Sequence, residues 1–307
     1  MAPPARGGTK GRIIVGRLNG RLQVVATPIG NLADLTARAR EALAAADVIA
    51  AEDTRHTAAL LQALGIARPL ISLHQHNESQ RAGALLARLA EGETIALVSD
   101  AGTPLISDPG YELVRRAAAA GFEVTVIPGV SAITAALAVA GLPTDRFCFE
   151  GFLPARASER RAALAALAHE RRTLVCFEAP HRIAAALDDM ASELGSGREA
   201  LVARELTKAH ETLYRGTLGE LARRAREDVN LARGEITLVV RGAAASESVD
   251  EALLRRAVDL LSRELPPGRA AAIAAQLTGA TRAAAYALAT RSAAGAAAKE
   301  PPEEDAP

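Results

Sequence analysis

With 307 residues, 49% of them hydrophobic and 23% charged, the chain has apolar material for more than one core. Its 36 basic side chains balance 36 acidic ones, which argues against indiscriminate coating of nucleic acid but leaves room for local patches. No apolar run approaches the ~18 residues of a membrane span, the N-terminus lacks a secretory apolar stretch, and Cys148 and Cys176 read as small buried hydrophobes rather than a disulfide framework; a cytoplasmic protein fits all of this.

Residues 1–20 carry Arg6, Lys10, Arg12 and Arg17 without an acid and read as a flexible basic leader. From there the pattern predicts strands at 22–26, 47–51, 70–73, 94–98 and 123–127. They alternate with helices at 34–46, 54–64, 78–90, 111–120 and 131–140, most of them stopped by glycine: Gly65, Gly92, Gly121 and Gly141. Strand–helix alternation of this kind predicts a parallel, doubly wound sheet for an N-terminal α/β domain over 21–142. After the Gly141–Asp145 linker, strands are expected at 147–151, 172–177, 200–204, 211–215 and 236–240, with helices at 158–169, 182–194 and 218–226. The strands near 200 and 211 have almost nothing between them, so this second α/β domain, 146–242, should hold a mixed sheet. Residues 243–249 read as another linker. The stretch 250–292 is helical throughout, broken at Pro266-Pro267-Gly268 and Thr278-Gly279-Ala280 into a helix-turn-helix-like tail. Residues 293–307 read as a disordered acidic tail.

Two turns past strand ends hold most of the information: Val25–Leu32 around Pro28 and Gly30, and Ser99–Gly110 around Gly102, Thr103 and Pro104. Open α/β sheets bind ligands just beyond the carboxyl ends of their strands, and Gly and Pro let the backbone turn sharply and approach a ligand closely. The pair predicts a cleft for a small organic cofactor. Glu52, Asp53, Arg55 and His56 crowd the end of the second strand. Capping of the next helix explains one or two of them, and a polar cleft explains all four. His74, His76 and Glu78 could suggest a metal, but His-x-His without a partner cluster reads better as a polar loop, with His76 and Asn77 lining a substrate cleft. Of Asp100 and Asp108, one is expected to orient a ligand group and the other to cap a helix. Gly195-Ser196-Gly197 imitates a dinucleotide fingerprint but follows a helix, so it reads as a helix-ending turn. Lys208 is the lone lysine between Lys10 and Lys299, and lysine, unlike arginine, can be deprotonated by burial.

Taken together, Val24–Thr36, Ala51–Thr57, Ser99–Gly110, Pro128–Ile133, Gly141–Pro154, Glu178–Arg182 and Ala203–Lys208 resemble the tetrapyrrole-methylase-like class III methyltransferases. The likeness runs from about Leu22 to Gly242 and extends to the helical tail. Tetrapyrrole methylases usually carry Gly-x-Gly-Pro-Gly and Ser-Gly-Asp-Pro loops. Thr27-Pro28-Ile29-Gly30-Asn31 and Asp100-Ala101-Gly102-Thr103-Pro104 are the forms typical of the branch that acts on ribosomal RNA. The resemblance implies S-adenosyl-L-methionine as cofactor, no metal, and a homodimer. It also implies, as acceptor, the 2′-hydroxyl of a cytidine in 16S rRNA, within the 30S particle. Carried over by motif, the cofactor contacts are Pro28, Asp100, Gly102, Thr103, Ile106, Ser131 and Ala132, with Phe152 and Ala203 from the second domain.

Such a transfer is an in-line displacement that needs aligned reactants and a base for the hydroxyl proton. The candidate bases are Lys208 with a lowered pKa, Glu205, or an acid of the Glu52-Asp53 pair. Arg55, Arg156 and Arg160 are candidate phosphate contacts, the last two explained better by a solvated helix face. With three tyrosines and no tryptophan, extensive base stacking is not expected. Two rival readings stay open: methylation of a tetrapyrrole or protein side chain on the same fold, and a non-catalytic RNA-binding factor.

Overall fold

A computed structural model describes residues 20–244 and 251–297. The expected leader, apart from Gly20, lies outside these residues, as does the acidic end of the chain from 298 on.

Strands β1 (Arg21–Val25), β2 (Val48–Ala51), β3 (Leu70–Ser72), β4 (Thr94–Val98) and β5 (Glu123–Ile127) form one sheet in the order β3-β2-β4-β1-β5. Every pairing is parallel. Side chains alternate between two buried layers: Leu22, Val48, Ala50, Ile95 and Leu97 on one face, Val25, Ile49, Ala51, Ala96 and Val98 on the other. Burial on both faces is why these strands read as continuous apolar runs. Helices α1 (Ala37–Ala45), α2 (Thr54–Leu64), α3 (Glu78–Ala90), α4 (Tyr111–Ala119) and α5 (Ala132–Ala140) fill the connections. The first helix begins at Ala37 rather than at Asp34. Asn31 caps a single 3₁₀ turn over Leu32–Asp34, and the Thr36 hydroxyl then accepts the Ala39 N–H to start α1 afresh.

The second sheet joins β6 (Phe147–Phe152), β7 (Thr173–Glu178), β8 (Glu199–Arg204), β9 (Thr212–Thr217) and β10 (Ile236–Val240) in the order β6-β7-β10-β8-β9. β6 and β7 are parallel and the other pairings antiparallel, a mixed sheet as expected. Helices α6 (Ala157–Ala166), α7 (Ile183–Leu194) and α8 (Leu218–Glu227) cover it, α8 opening on a Thr217/Glu220 capping box. The two sheets share a core. Ile133, Ala136, Leu137 and Ala140 of α5, with Ile29 and Leu206, pack against Val175, Leu201, Ala203 and Val239 of the second sheet. At about 1.5–3 kcal/mol for each large aliphatic side chain buried, this seam fixes one sheet against the other. Both belong to a compact unit that runs to Ala243.

Helices α9 (Glu251–Leu261), α10 (Pro267–Thr278) and α11 (Arg282–Ala297) form another unit with its own core of Leu254, Val258, Ala271, Ala274, Ala285 and Ala289. Gly279, left-handed at φ 74°, ends α10. α11 continues to Ala297, into the segment expected to be tail. Among the described residues no helix is long and apolar enough to cross a membrane.

Candidate active site

The carboxyl ends of β1, β2 and β4 meet the rim of the second sheet around a cleft of about 470 Å³. Its first wall is built by the two loops singled out from sequence, and hydrogen bonds sew them together. Thr27 N–H donates to Gly102 O (2.8 Å), Gly102 N–H donates back to Thr27 O (3.0 Å), and the Thr27 hydroxyl donates to Ser99 O (3.2 Å). Gly102 is left-handed (φ 78°), and a Cβ there would lie 3.2 Å from Ile29 Cγ2, so glycine lets the loops close on each other. Asp100 is held by the Asp53 N–H at 3.0 Å and by His56 Nδ1 at 3.1 Å. That contact draws the Glu52–His56 segment to the same rim.

The lining contains Glu52, Asp100, Asp108, Glu178 and Glu235, and no lysine, arginine or histidine. Ile29, Ile106, Phe152 and Phe177 supply apolar surface, and Ser131 and Ala132 bring the start of α5. This donor set fits S-adenosylmethionine. The acids would hold its sulfonium and ammonium, the apolar side chains its adenine, and the helix-start amides its carboxylate. The acids are not equivalent. Burial raises the Glu52 pKa, and the charge of Asp100 adds to it. Burial also pushes Asp108 up to about 6 against a Ser99 hydrogen bond that lowers it, and the charges of Glu52 and Asp100 add to the rise. Glu178 is buried and paired with Arg182 at 2.5 Å.

Of the residues expected at the site, Glu52, Asp100, Gly102, Thr103, Ile106, Ser131, Ala132 and Phe152 line the cleft. The others lie elsewhere. Ile29, not Pro28, faces inward. Ala203 is buried in the core beneath, and its register partner Thr237 takes the lining position. Asp53 is the N-cap of α2, accepting the Arg55 N–H at 2.8 Å. The Arg55 guanidinium beside it holds its carboxyl well below the usual range, which disqualifies it as a base. Lys208 corrects the expectation of a lowered pKa. Burial pulls it down, but the Glu205 hydrogen bond and the Glu235 charge outweigh that, and the ammonium is held above its ordinary value. The same bond keeps Glu205 ionised with its pKa lowered against the effect of burial.

Arg160 is likewise corrected as a phosphate contact. It is 4% exposed and turned into the protein, donating to Asp189 at 2.7 Å and to the carbonyls of Pro154 and Ala155. Arg156 is exposed and pairs with Glu159. Asn77 closes its own turn, its Oδ1 accepting the His74 N–H. Glu78 caps α4 through the Gly110 and Glu112 amides. Neither enters the cleft. His76 is exposed beside His74 with no metal-binding group among the described residues.

Sequence reasoning missed Gly234–Thr237 as a cleft wall. β10 runs antiparallel to β7 and β8, so its amino end, not its carboxyl end, comes to the rim. The close sequence spacing that signalled a mixed sheet was the available clue. Phe177–Pro180 follow β7 at its carboxyl end and obey the ordinary rule.

The sequence matches Tetrapyrrole (Corrin/Porphyrin) Methylases over residues 21–222, two thirds of the chain. The chain belongs to that family. Residues 248–293 match a second family, described as the RsmI C-terminal HTH domain. A curated relative, ribosomal RNA small subunit methyltransferase I of Xylella fastidiosa (strain Temecula1 / ATCC 700964), is 54% identical over 267 residues, covering 87% of this chain and 98% of that one. Among solved structures, the methyltransferase CobJ shares 23% identity at a TM-score of 0.56, covering 73% and 95% of the two chains. A uroporphyrin-III C-methyltransferase from Thermus thermophilus, complexed with S-adenyl homocysteine, shares 21% identity at a TM-score of 0.50, covering 74% and 97%. These two likenesses carry the fold.

Proposed function

We propose that this chain is an S-adenosylmethionine-dependent methyltransferase of 16S ribosomal RNA, acting on the 2′-hydroxyl of a cytidine in the assembled small subunit, in the cytoplasm and as a homodimer. The observation that carries the reading is the acid-lined cleft between two sewn loops and the rim of the second sheet, in a chain that shares 54% identity with a small-subunit methyltransferase. Exposed Arg55 and His56 lie beside the cleft mouth, and Arg156 is exposed at the N-cap of α6, within reach of a phosphate backbone. Exposed Val126 and Phe147 on the edge strands β5 and β6 support a homodimer.

The bound donor supplies an activated methyl group. The chain must align the acceptor oxygen and take its proton. Among the cleft acids, Asp100 is engaged by His56, Glu178 by Arg182 and Glu235 by Lys208. Glu52 and Asp108 have no ion partner within 4 Å among the described residues. A carboxylate titrating near 6 is mostly ionised at neutral pH yet far more basic than an ordinary aspartate, so Asp108, with Glu52 beside it, is the better proton acceptor. The O–H proton moves to the carboxylate. A donor held between the two walls would supply the methyl group to the oxygen freed of its proton, and the carboxylate would then release that proton to solvent.

The deciding measurement is transfer of tritiated methyl to 30S particles and to free 16S RNA, followed by mapping of the labelled nucleotide. Label on a cytidine ribose, stronger in the particle, is the expected result. Label on a base, or on protein alone, sinks the reading.

A further inference from the structure

Four non-glycine residues among those described have left-handed backbone: Leu105 (φ 73°), Ser107 (66°), Glu205 (54°) and Thr207 (64°). Such residues are strained and persist where the surroundings demand them. Leu105 and Ser107 belong to the cofactor loop. Glu205 and Thr207 belong to a loop after β8 that does not reach the cleft lining at all, so their strain needs another explanation.

The contacts of that loop supply it. The aliphatic stem of Lys208 lies across Gly30, where an added Cβ would come 2.2 Å from Lys208 Cγ and 2.6 Å from Cε. The Glu205 carboxylate lies across Gly234 in the same way, with a Cβ there 2.4 Å from its Oε1. Lys208 Nζ donates to Glu205 Oε1 at 2.8 Å and lies 3.1 Å from Glu235 Oε2, while Glu205 Oε1 also accepts the Glu235 N–H at 2.9 Å. Gly30 follows Ile29, which lines the first wall of the cleft; Gly234 and Glu235 line the second. One ion pair therefore presses on both walls from behind, and both contact points are glycines, each with a positive φ (152° and 79°) and no room for a side chain.

The geometry points to Lys208 and Glu205 as positioning residues that set the separation of the two walls of the donor cleft, Lys208 through Gly30 and Glu205 through Gly234 and Glu235. The inference rests on the reading of the cleft as the donor site. It gives the strained loop a purpose that a proton-transfer role would not: the stem of Lys208 matters as much as its charge.

The test is calorimetric titration of S-adenosylhomocysteine into the full-length protein, with thermal unfolding of every variant. Wild type is expected to bind; if it does not, the donor reading falls and takes the inference with it. Lys208→Ala should weaken binding by about tenfold or more, whereas Lys208→Met, which keeps most of the stem, should stay within about threefold to fivefold. Gly30→Ala, strained at φ 152° as well as crowded by the stem, should weaken binding at least as much as Lys208→Ala, and the double variant should lose less than the product of the two single losses, because removing the stem relieves the crowding but not the backbone strain. Unfolding midpoints of the lysine variants should stay close to wild type, and their single-turnover methylation at saturating donor should recover while KM for the donor remains high. The inference is overturned if Lys208→Ala or Gly30→Ala binds like wild type, if their effects multiply in the double variant, or if both lysine variants bind normally but lose the rate at saturating donor. That last result would mark Lys208 as a proton-transfer group.

Discussion

In the first sheet β1, β2 and β4 run the same way, and Ile29, Glu52 and Asp100 each lie just past a carboxyl end. In the second sheet the wall comes from both directions: Glu178–Pro180 after β7, but Gly234 and Glu235 before β10, which runs against its neighbours. The first wall carries the acids whose pKa values are raised, Glu52 and Asp108. The second carries acids already neutralised by Arg182 and Lys208. The first wall is thus the one poised for proton chemistry, and the second is a shaped, charge-compensated backing.

Asp108 gives the sharpest way to break that division. Asp108→Asn should lower the single-turnover rate at neutral pH by about 10²–10⁴-fold, the usual contribution of a positioned base. In wild type the rate should rise with pH through about 6, since the ionised carboxylate is the active form. Glu52→Gln removes a negative charge that raises the Asp108 pKa, so it should move that rise to lower pH rather than abolish it. A flat profile in wild type, or an unaltered one in Asp108→Asn, would place the proton elsewhere. Stability runs the other way. The folded-state pKa lies above the ordinary 3.8, so the acid's contribution is fully present below about pH 4 and lost as pH rises towards 6. Asp108→Asn should therefore unfold at a higher temperature than wild type at pH 7, and no lower.

A smaller effect separates the walls by their glycines. Gly102→Val introduces a branched side chain at φ 78° against Ile29. It should weaken S-adenosylhomocysteine binding by about 10–100-fold, given a left-handed penalty on the order of 1–3 kcal/mol. Gly234→Ala, at φ 79° and pressing on the Glu205 carboxylate, adds only a methyl group and should weaken it by about tenfold. Equal losses at the two positions, read by calorimetry, would mean that the walls contribute alike.

These glycines also mark what could be read from the chain alone. Gly102 stands in a turn after an apolar strand, where strand direction and ligand position are coupled, so the first wall was legible almost residue by residue. Phe152 and Ala203 were both expected in the second wall. Phe152 is there, but Ala203 faces the core, because a period of two puts adjacent strand residues on opposite faces and the rim's alternation was not visible without register. Gly234 was invisible because it precedes its strand. The ionisation of Lys208 was illegible for a different reason: its two partners come from Glu205, three residues back, and from Glu235, and only the antiparallel pairing of β8 with β10 brings the second one close. Sequence spacing reveals strand ends well; it does not reveal which distant charge will arrive beside a given side chain.

The smallest effect on methylation should come from Arg160, and it bears on the same distinction between a wall that reacts and a frame that supports. Arg160 bonds Asp189 of α7 and two carbonyls ahead of its own helix. Removing one partner of a buried ion pair leaves the other charge uncompensated, at about 3–5 kcal/mol. Arg160→Met should thus lower the unfolding midpoint by several degrees or more while the folded fraction, assayed well below that midpoint, methylates 30S particles at the wild-type rate and with unchanged salt dependence. A phosphate contact behaves otherwise. Losing it flattens the dependence of RNA affinity on salt by about one counterion, as Arg156→Ala, at the exposed N-cap of α6, should do. If Arg160→Met flattens that slope and Arg156→Ala does not, α6 presents its buried face to RNA, and the second sheet is more than a frame.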